Sequence, residues 1–331
     1  MIPGSRMSLF MINHLAVAQQ IKNKLLASAE ILLVTHQHPD GDGLGALSAL
    51  AQYLSLKNKK YQLFCLHRVP ENSSFLPLMH QIASAAEVFD NDFEAIVVLD
   101  SGDLGYAGIE HLLDRQKVKT LINIDHHPTN TSFGDINLVL PHFSSASEIV
   151  YQLFRYWQQP INKEMATALL NGIIFDTGAF SNAATSLSSL KVASHLLNLG
   201  ARHNEINEKV LRNKGLGLLK LWGRAFERLQ YNSRYNLAFT VVLSEDLQEL
   251  GVDLEAASGL ANFFNELYGA KASLILIQLP TGGIKGSFRT TSDDVDVARL
   301  AGLFGGGGHQ KAAGFSVKGK LVYNESKWEI I

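Results

Sequence analysis

A chain of 331 residues, 46% of them hydrophobic, exceeds the roughly 250–300 residues at which single cores stop growing, so two domains are expected. Its 29 basic and 31 acidic residues nearly cancel, which excludes a whole-molecule field suited to long-duplex nucleic acid and makes any nucleic-acid contact local. One cysteine, Cys65 in the run Leu63-Phe64-Cys65-Leu66, excludes an intrachain disulfide, and no apolar stretch reaches the roughly 18 residues of a membrane span.

Residues 1–8 are irregular, with Pro3 and Gly4, and no cationic start leads into a long apolar core. A cytoplasmic protein is expected, with Cys65 a buried thiol in a reducing compartment. Residues 13–29 place Leu15, Ala18, Ile21, Leu25 and Leu26 at helical spacing. Ile31 to Thr35 is then an unbroken apolar run, the mark of a strand buried on both faces, and it enters His36-Gln37-His38-Pro39-Asp40-Gly41-Asp42-Gly43. Pro39 and the glycines predict a loop there, before a helix over 44–56. A strand at 61–66, a short helix at 77–86 and a buried strand at 95–99 follow, the last ending at Asp100-Ser101-Gly102-Asp103. A helix around 109–116 leads to the run Thr120 to Ile124, which closes on Asp125-His126-His127 and is stopped by Pro128. Strands alternating with helices predict an α/β fold, a doubly wound, mostly parallel sheet whose carboxyl ends share one edge.

Helices are expected over 144–157 and 163–174, the second running into Phe175-Asp176-Thr177-Gly178. An ionised Asp176 after so apolar a stretch is costly unless paired or metal-bound. A helix over 186–199, capped by Gly200, and a more polar helical segment to 219 suggest the connection between domains. The expected division is a catalytic domain at 12–185, a helical linker at 186–220 and a smaller α/β substrate-binding domain at 221–331. In the last, strands are expected at 236–243, 272–279 and 284–290, helices at 254–268 and 295–304, and a final strand after Gly305-Gly306-Gly307-Gly308-His309-Gln310-Lys311.

Four carboxylates on one sheet edge, Asp40, Asp42, Asp100 and Asp176, would repel too strongly to stay ionised without cations. With His36 and His126 they make six ligands, enough for two metals about 3.5–4 Å apart that share one carboxylate, an arrangement suited to phosphoester hydrolysis. For any one of these residues a loop acid serving as turn former or helix N-cap is the stronger reading. Four separate elements delivering ligands to one edge reverse that judgement. His38 reads as a supporting or merely exposed histidine, and Asp103 as a turn residue. In the second domain, consecutive glycines can turn backbone N–H groups inward as an anion nest, beside His309, Arg289, Lys285 and Lys311.

The ordered set His36-x-x-Pro39-Asp40-Gly41-Asp42, Asp100, Asp125-His126-His127 and Phe175-Asp176-Thr177-Gly178 resembles the motifs of the DHH phosphoesterase family, and Gly306-Gly307-Gly308-His309 resembles the substrate-binding domain of one of its branches. The resemblance spans residues 12–318. It implies one metal on His36, Asp40 and Asp100 and a second on Asp42, Asp100, His126 and Asp176, with Asp100 as bridge. The ions implied are divalent, manganese first and magnesium as the alternative. His127 would contact the scissile phosphate or leaving oxygen, and Asp125 would orient its neighbours. Arg289, Lys285, Gly306, Gly307, Gly308 and His309 would bind substrate.

Chains of this size resemble the group of bifunctional oligoribonucleases and 3′-phosphoadenosine-5′-phosphate (pAp) phosphatases. One domain is then expected to cut and the other to hold the end of a short single-stranded RNA or small nucleotide, with no long duplex and no membrane partner. Hydrolysis of linear or cyclic signalling dinucleotides is the rival in the same class. A metal-stabilised nucleotide sensor without turnover and a polyphosphatase are the others. The resemblance also implies a tendency to homodimers, for which helices between 144 and 220 could supply apolar surface.

Overall fold

The computed structural model describes residues 7–331 except 116–119, 212–214, 265, 266, 268, 281 and 326. By contacts the chain divides into Met1–Asn213 and Lys214–Ile331, a division that falls inside the segment expected as linker. Among the described residues no helix is long and apolar enough to cross a membrane.

In the first unit the described residues form a parallel sheet of β1 (Glu30–Thr35), β2 (Lys60–Phe64), β3 (Ile82–Ala83), β4 (Ala95–Leu99), β5 (Leu121–Asp125) and β6 (Ile136–Val139), in the order β3-β2-β1-β4-β5-β6. Strand order reverses between β1 and β4, and open α/β sheets bind ligands beyond the carboxyl ends of strands at such a switch point. The helices are α1 (Met7–Ala27), α2 (Gly41–Leu56), α3 (Leu104–Ala107), α4 (Ala146–Tyr156), α5 (Lys163–Asp176), α6 (Leu187–Asn198) and α7 (His203–Ile206). Alternate residues of β1 explain its continuous apolar run. Ile31 and Leu33 join the core under α2, α4 and α5, while Leu32 and Val34 join a second cluster with Phe64, Phe89, Phe93 and Val98 on the other face.

Three local expectations change. Residues 77–86 are not a helix: Leu78 sits in the left-handed region (φ 68°), leaving a 3-10 turn at Met79–Gln81 and the short β3. The helix around 109–116 is displaced to α3, which Gly108 (φ 72°) terminates, and Leu113–Arg115 is a 3-10 turn, with residue 116 outside the described set. Gly41 and Gly43 lie within α2 rather than in a loop before it.

In the second unit the described residues form a mixed sheet of β7 (Gln230–Asn232), β8 (Leu237–Val242), β9 (Ala272–Gln278), β10 (Ile284–Arg289), β11 (Gly307–His309) and β12 (Ala312–Val317), ordered β11-β12-β10-β9-β8-β7. The pair β8–β9 is parallel and the other neighbours are antiparallel. A hairpin of β13 (Leu321–Asn324) and β14 (Lys327–Ile330), absent from the sequence reading, closes the chain. Here α8 (Leu216–Glu227) and α10 (Leu254–Phe263) contribute to one core with Ile275 and Ile277, and α9 (Ser244–Leu250) adds Leu247. On the other side α11 (Val297–Gly302) packs with Ile284, Phe288 and Phe315.

Candidate active site

The approach of α2 to α5 places the first two acids. Asp40 is the N-cap of α2, its Oδ1 accepting from the N–H groups of Asp42 (2.9 Å) and Gly43 (3.1 Å). Asp42 therefore falls in the first helical turn and is fully buried. A Cβ at Gly43 would lie 2.1 Å from Thr35 Oγ1, and one at Gly172 of α5 would lie 2.5 Å from Asp42 Oδ1, so both glycines are close-approach positions. Both Asp42 oxygens accept from the start of α4, Oδ2 from Ala146 N (2.6 Å) and Oδ1 from Ser147 N (2.8 Å). That start is anchored in turn. Fully buried Glu148 accepts from Ser144 N (2.9 Å), Ser144 Oγ (2.7 Å) and Ser188 Oγ of α6.

Asp100 leaves β4 in the left-handed region (φ 59°), a conformation Asp tolerates better than most residues. His36 Nε2 lies 3.6 Å from Asp100 Oδ2 and 3.6 Å from Asp40 Oδ1, with the Tyr106 ring stacked on its imidazole at 5.0 Å. From the end of β5, His126 Nε2 approaches Asp176 Oδ2 (3.0 Å), Asp100 Oδ1 (3.5 Å) and Asp42 Oδ2 (3.9 Å). Asp125 makes contacts of its own beside it. Its Oδ1 is 2.8 Å from His127 Nδ1 and its Oδ2 accepts from Asn130 Nδ2 (2.6 Å), which also donates to Ser101 O (3.0 Å). Asp176 ends α5 and is followed by left-handed Gly178, Ala179 and Phe180, a strained turn held by Asn182 Nδ2 on Asp176 O (2.8 Å).

The structure thus brings together His36, Asp40 and Asp100 as one group of potential ligand atoms within 4.8 Å, and Asp42, His126 and Asp176 as a second. A third such group contains Asp100, Asp125, His126 and His127. Burial opposes ionisation of Asp42 most strongly, and the charges of Asp100 and Asp176 add to it, so its pKa rises well above the carboxylate range. Burial likewise raises Asp176 to about 6. Asp100 goes the other way: despite burial, His126 and His36 hold it below the ordinary range. The imidazoles answer in kind. Against the cost of burial, Asp100 and Asp40 raise His36 to about 10, and Asp100 and Asp176 raise His126 to about 12. His127 is raised chiefly by Asp125.

Buried Asp42 and Asp100, with half-buried Asp176 at the carbonyl end of a helix, call for positive charge that the described residues supply only by protonating their imidazoles. Asp100 Oδ1 is buried without a hydrogen-bond partner among the described residues. The cluster therefore fits divalent metal, and its mixed oxygen and imidazole donors match ions of manganese type better than thiolate-seeking ones. Asn130 and Glu148 carry no metal-type signal in sequence. Asn130 lies in the loop after β5 and Glu148 in the first turn of α4, both ordinary places for those residue types.

The second unit sorts its residues by register. Arg289 pairs with Ala312, which pairs with His309, and Ser287 pairs with Gly314, which pairs with Gly307. Lys285, Ser287 and Arg289 alternate with buried Ile284, Gly286 and Phe288, so they share the face opposite the α11 core, with His309 two strand spacings away, about 9–10 Å. The glycines do not form the expected nest. Gly305 N and Gly306 N donate to Gly302 O (3.1 Å) and Ala301 O (3.0 Å), and Gly307 to His309 are strand β11. A Cβ at Gly306 would meet Gly314 O at 2.2 Å, and at Gly308 (φ 144°) Ala312 O at 2.6 Å, whereas Gly307 has nothing within 4 Å.

Fold and cluster together define a hydrolase acting on phosphoester bonds. The model of the DHH family, N-terminal domain, matches residues 30–173 and that of the DHHA1 domain matches 235–327. The chain thus carries a DHH-family domain followed by a DHHA1 domain, the arrangement of a DHH phosphoesterase. It is 29% identical over 289 residues to the bifunctional oligoribonuclease and PAP phosphatase NrnA of Thermus thermophilus, covering 87% of this chain and 84% of that one. It is 24% identical to the cyclic-di-AMP phosphodiesterase PdeA of Listeria monocytogenes, covering 94% of this chain but 48% of the longer relative. An exopolyphosphatase-related protein of Bacteroides fragilis shares the fold, with a TM-score of 0.84 over 92% of each chain at 24% identity.

Proposed function

We propose that this chain is a metal-dependent phosphodiesterase that degrades very short oligoribonucleotides to mononucleotides and also removes the 3′-phosphate of pAp. The observation that carries it is Asp100, placed between His36 and Asp40 on one side and His126, beside Asp42 and Asp176, on the other. His36, Asp40 and Asp100 would hold one divalent ion and Asp42, Asp100, His126 and Asp176 a second, with manganese preferred over magnesium. Such ions supply an activated water and neutralise phosphate oxygens as charge develops. Asp125 fixes His127 through Nδ1 and leaves Nε2 to face the phosphate or the leaving oxygen. In the second unit Lys285, Arg289, Gly307 and His309 bind the substrate's end, while Gly306 and Gly308 keep β11 against β12. The similarity to the NrnA relative over most of both chains supports the substrate class.

A product-against-time series on a 5′-labelled RNA pentamer, beside pAp, with manganese, magnesium or no metal, tests this reading. Stepwise release of mononucleotides with manganese is expected, and an intact dinucleotide end product sinks it. The PdeA relative favours a second reading, signalling dinucleotides, which requires pApA or cyclic-di-AMP to be hydrolysed faster than the pentamer. We also propose cytoplasmic location and a homodimer that uses exposed Leu187, Leu190 and Leu197 of α6. A monomer mass in light scattering at micromolar concentration rules the dimer out.

A further inference from the structure

The sheet edge of the first unit carries a second group of imidazoles that the metal cluster does not use. His38 follows the end of β1 and His67 follows the end of β2; their Nδ1 atoms are 3.3 Å apart and their ring centroids 4.7 Å, tilted by 50°. Both are exposed, as is Arg68, the next residue in the chain after His67. They sit next to the cluster by register. Val34 pairs with Phe64 at the end of the β1–β2 ladder, and just beyond it Cys65 Sγ donates to His36 O at 3.2 Å.

Their surroundings differ in kind from those of the cluster. His36, His126 and His127 each face carboxylates at 2.8–3.9 Å. Among the described residues no carboxylate forms an ion pair with His38, His67 or Arg68. Imidazoles that hold acids suit a cation centre. Adjacent imidazoles and a guanidinium that hold none suit an anion, since ring N–H and guanidinium donors bond phosphate oxygens without first breaking an ion pair. With their Nδ1 atoms turned to each other, one ring donates and the other accepts, and the accepting ring keeps its Nε2–H free to donate to a phosphate oxygen.

We propose that His38, His67 and Arg68 form a subsite for a non-scissile phosphate of the substrate, the internucleotide phosphate one step from the one hydrolysed. The inference rests on the oligoribonucleotide reading and adds a length preference to it. A substrate whose only phosphate is scissile leaves this patch empty, and one residue more fills it.

The probes are ApA, with one phosphate, and ApApA, with two, both assayed with manganese at initial rate. Wild-type enzyme is expected to favour ApApA. In His67→Ala and in the double variant His38→Ala/His67→Ala the ratio of kcat/KM for ApApA over ApA falls about tenfold, carried by KM, as loss of a hydrogen bond to phosphate predicts. His67→Gln, which keeps one donor, restores part of the ratio. Equal losses on both substrates, or none on either, overturn the subsite, as does loss of a bound metal equivalent in the double variant, which would make the pair a metal site. Failure of the oligoribonucleotide reading looks different: wild-type enzyme then cleaves neither probe.

Discussion

Asp246 in the second unit and Asp100 in the first are equally buried, 3% and 2% exposed, yet their surroundings could hardly differ more. Asp246 accepts from Arg224 (2.9 Å), from both terminal nitrogens of Arg228 and from the N–H of Leu243 (3.0 Å), so every lone pair has a permanent donor. Around Asp100 stand four more acids, Asp40, Asp42, Asp125 and Asp176, and three imidazoles, and one of its oxygens has no hydrogen bond among the described residues. A carboxylate fully provided for by arginines serves folding. One left short of donors at a switch point is set up for an ion that comes and goes.

Substituting each acid separates the two. Asp100→Ala should lower hydrolysis about 10³-fold, the upper end of what removing one preorganised electrostatic group costs, while the chain still unfolds cooperatively. Asp246→Ala should keep the rate per folded molecule and lose about 2 kcal/mol of stability, the worth of hydrogen bonds between a buried carboxylate and charged or backbone donors. Parallel rate assays and denaturant melts read both, and comparable rate losses in the two variants would refute the contrast. Acid sharpens it. Asp246 is held below the carboxylate range, mainly by Arg228 against the cost of burial, so its contribution is present above the unfolded carboxyl pKa and lost as pH falls through the folded value.

The next effect tests support rather than ligation. Asn130 bridges Ser101 O, just after Asp100, to Asp125, and through Asp125 it aims His127. Asn130→Ala should lower kcat about 10–100-fold while metal affinity changes far less, because the ligands keep their own contacts. A calorimetric titration beside the kinetics decides the matter. A proportional fall in metal affinity would place Asn130 in the metal site itself.

How much of this was legible follows from how each residue signals itself. The acids and histidines at the ends of β1, β4 and β5 stand out because an apolar run that stops at an acid breaks its own pattern. Asn130 and Glu148 do not. Asparagine in a turn and glutamate in a first helical turn are ordinary, and only the fold shows Asn130 spanning two strand ends and Glu148 pinning the start of α4. Glycines misled in both units. Gly43 and the 305–308 run resemble loop formers, but Gly43 lets a helix approach a strand end, and Gly306 lies flat on β12. Close approach leaves no mark in composition.

Metal affinity should depend on pH in a direction fixed by the imidazoles. With His36 raised to about 10 and His126 to about 12, both bind protons at neutrality when the site is metal-free, and that protonated form is favoured until pH passes those values. Metal must displace these protons, so manganese affinity rises with pH, by up to about tenfold per unit for each proton released. Calorimetry in buffers of different ionisation enthalpy counts them. Affinity independent of pH between 6 and 8 would mean that the imidazoles are not ligands.

The smallest effect discriminates within the glycine run. A methyl at Gly306 collides with backbone oxygen at 2.2 Å and with Phe315 at 2.6 Å, so Gly306→Ala should destabilise the second unit and detach β11 from β12. At Gly307 the same methyl meets nothing within 4 Å, and the strand pairing with Gly314 needs no left-handed backbone, so Gly307→Ala should fold as the parent does. What it adds is bulk on the face shared by Ser287, Arg289 and His309, where a phosphate or ribose is proposed to lie. KM should rise severalfold with kcat little changed, the signature of lost binding that is equal in ground and transition states. If Gly307→Ala instead leaves KM untouched, the substrate does not approach β11 on that face, and the glycines there serve only the packing of the strand.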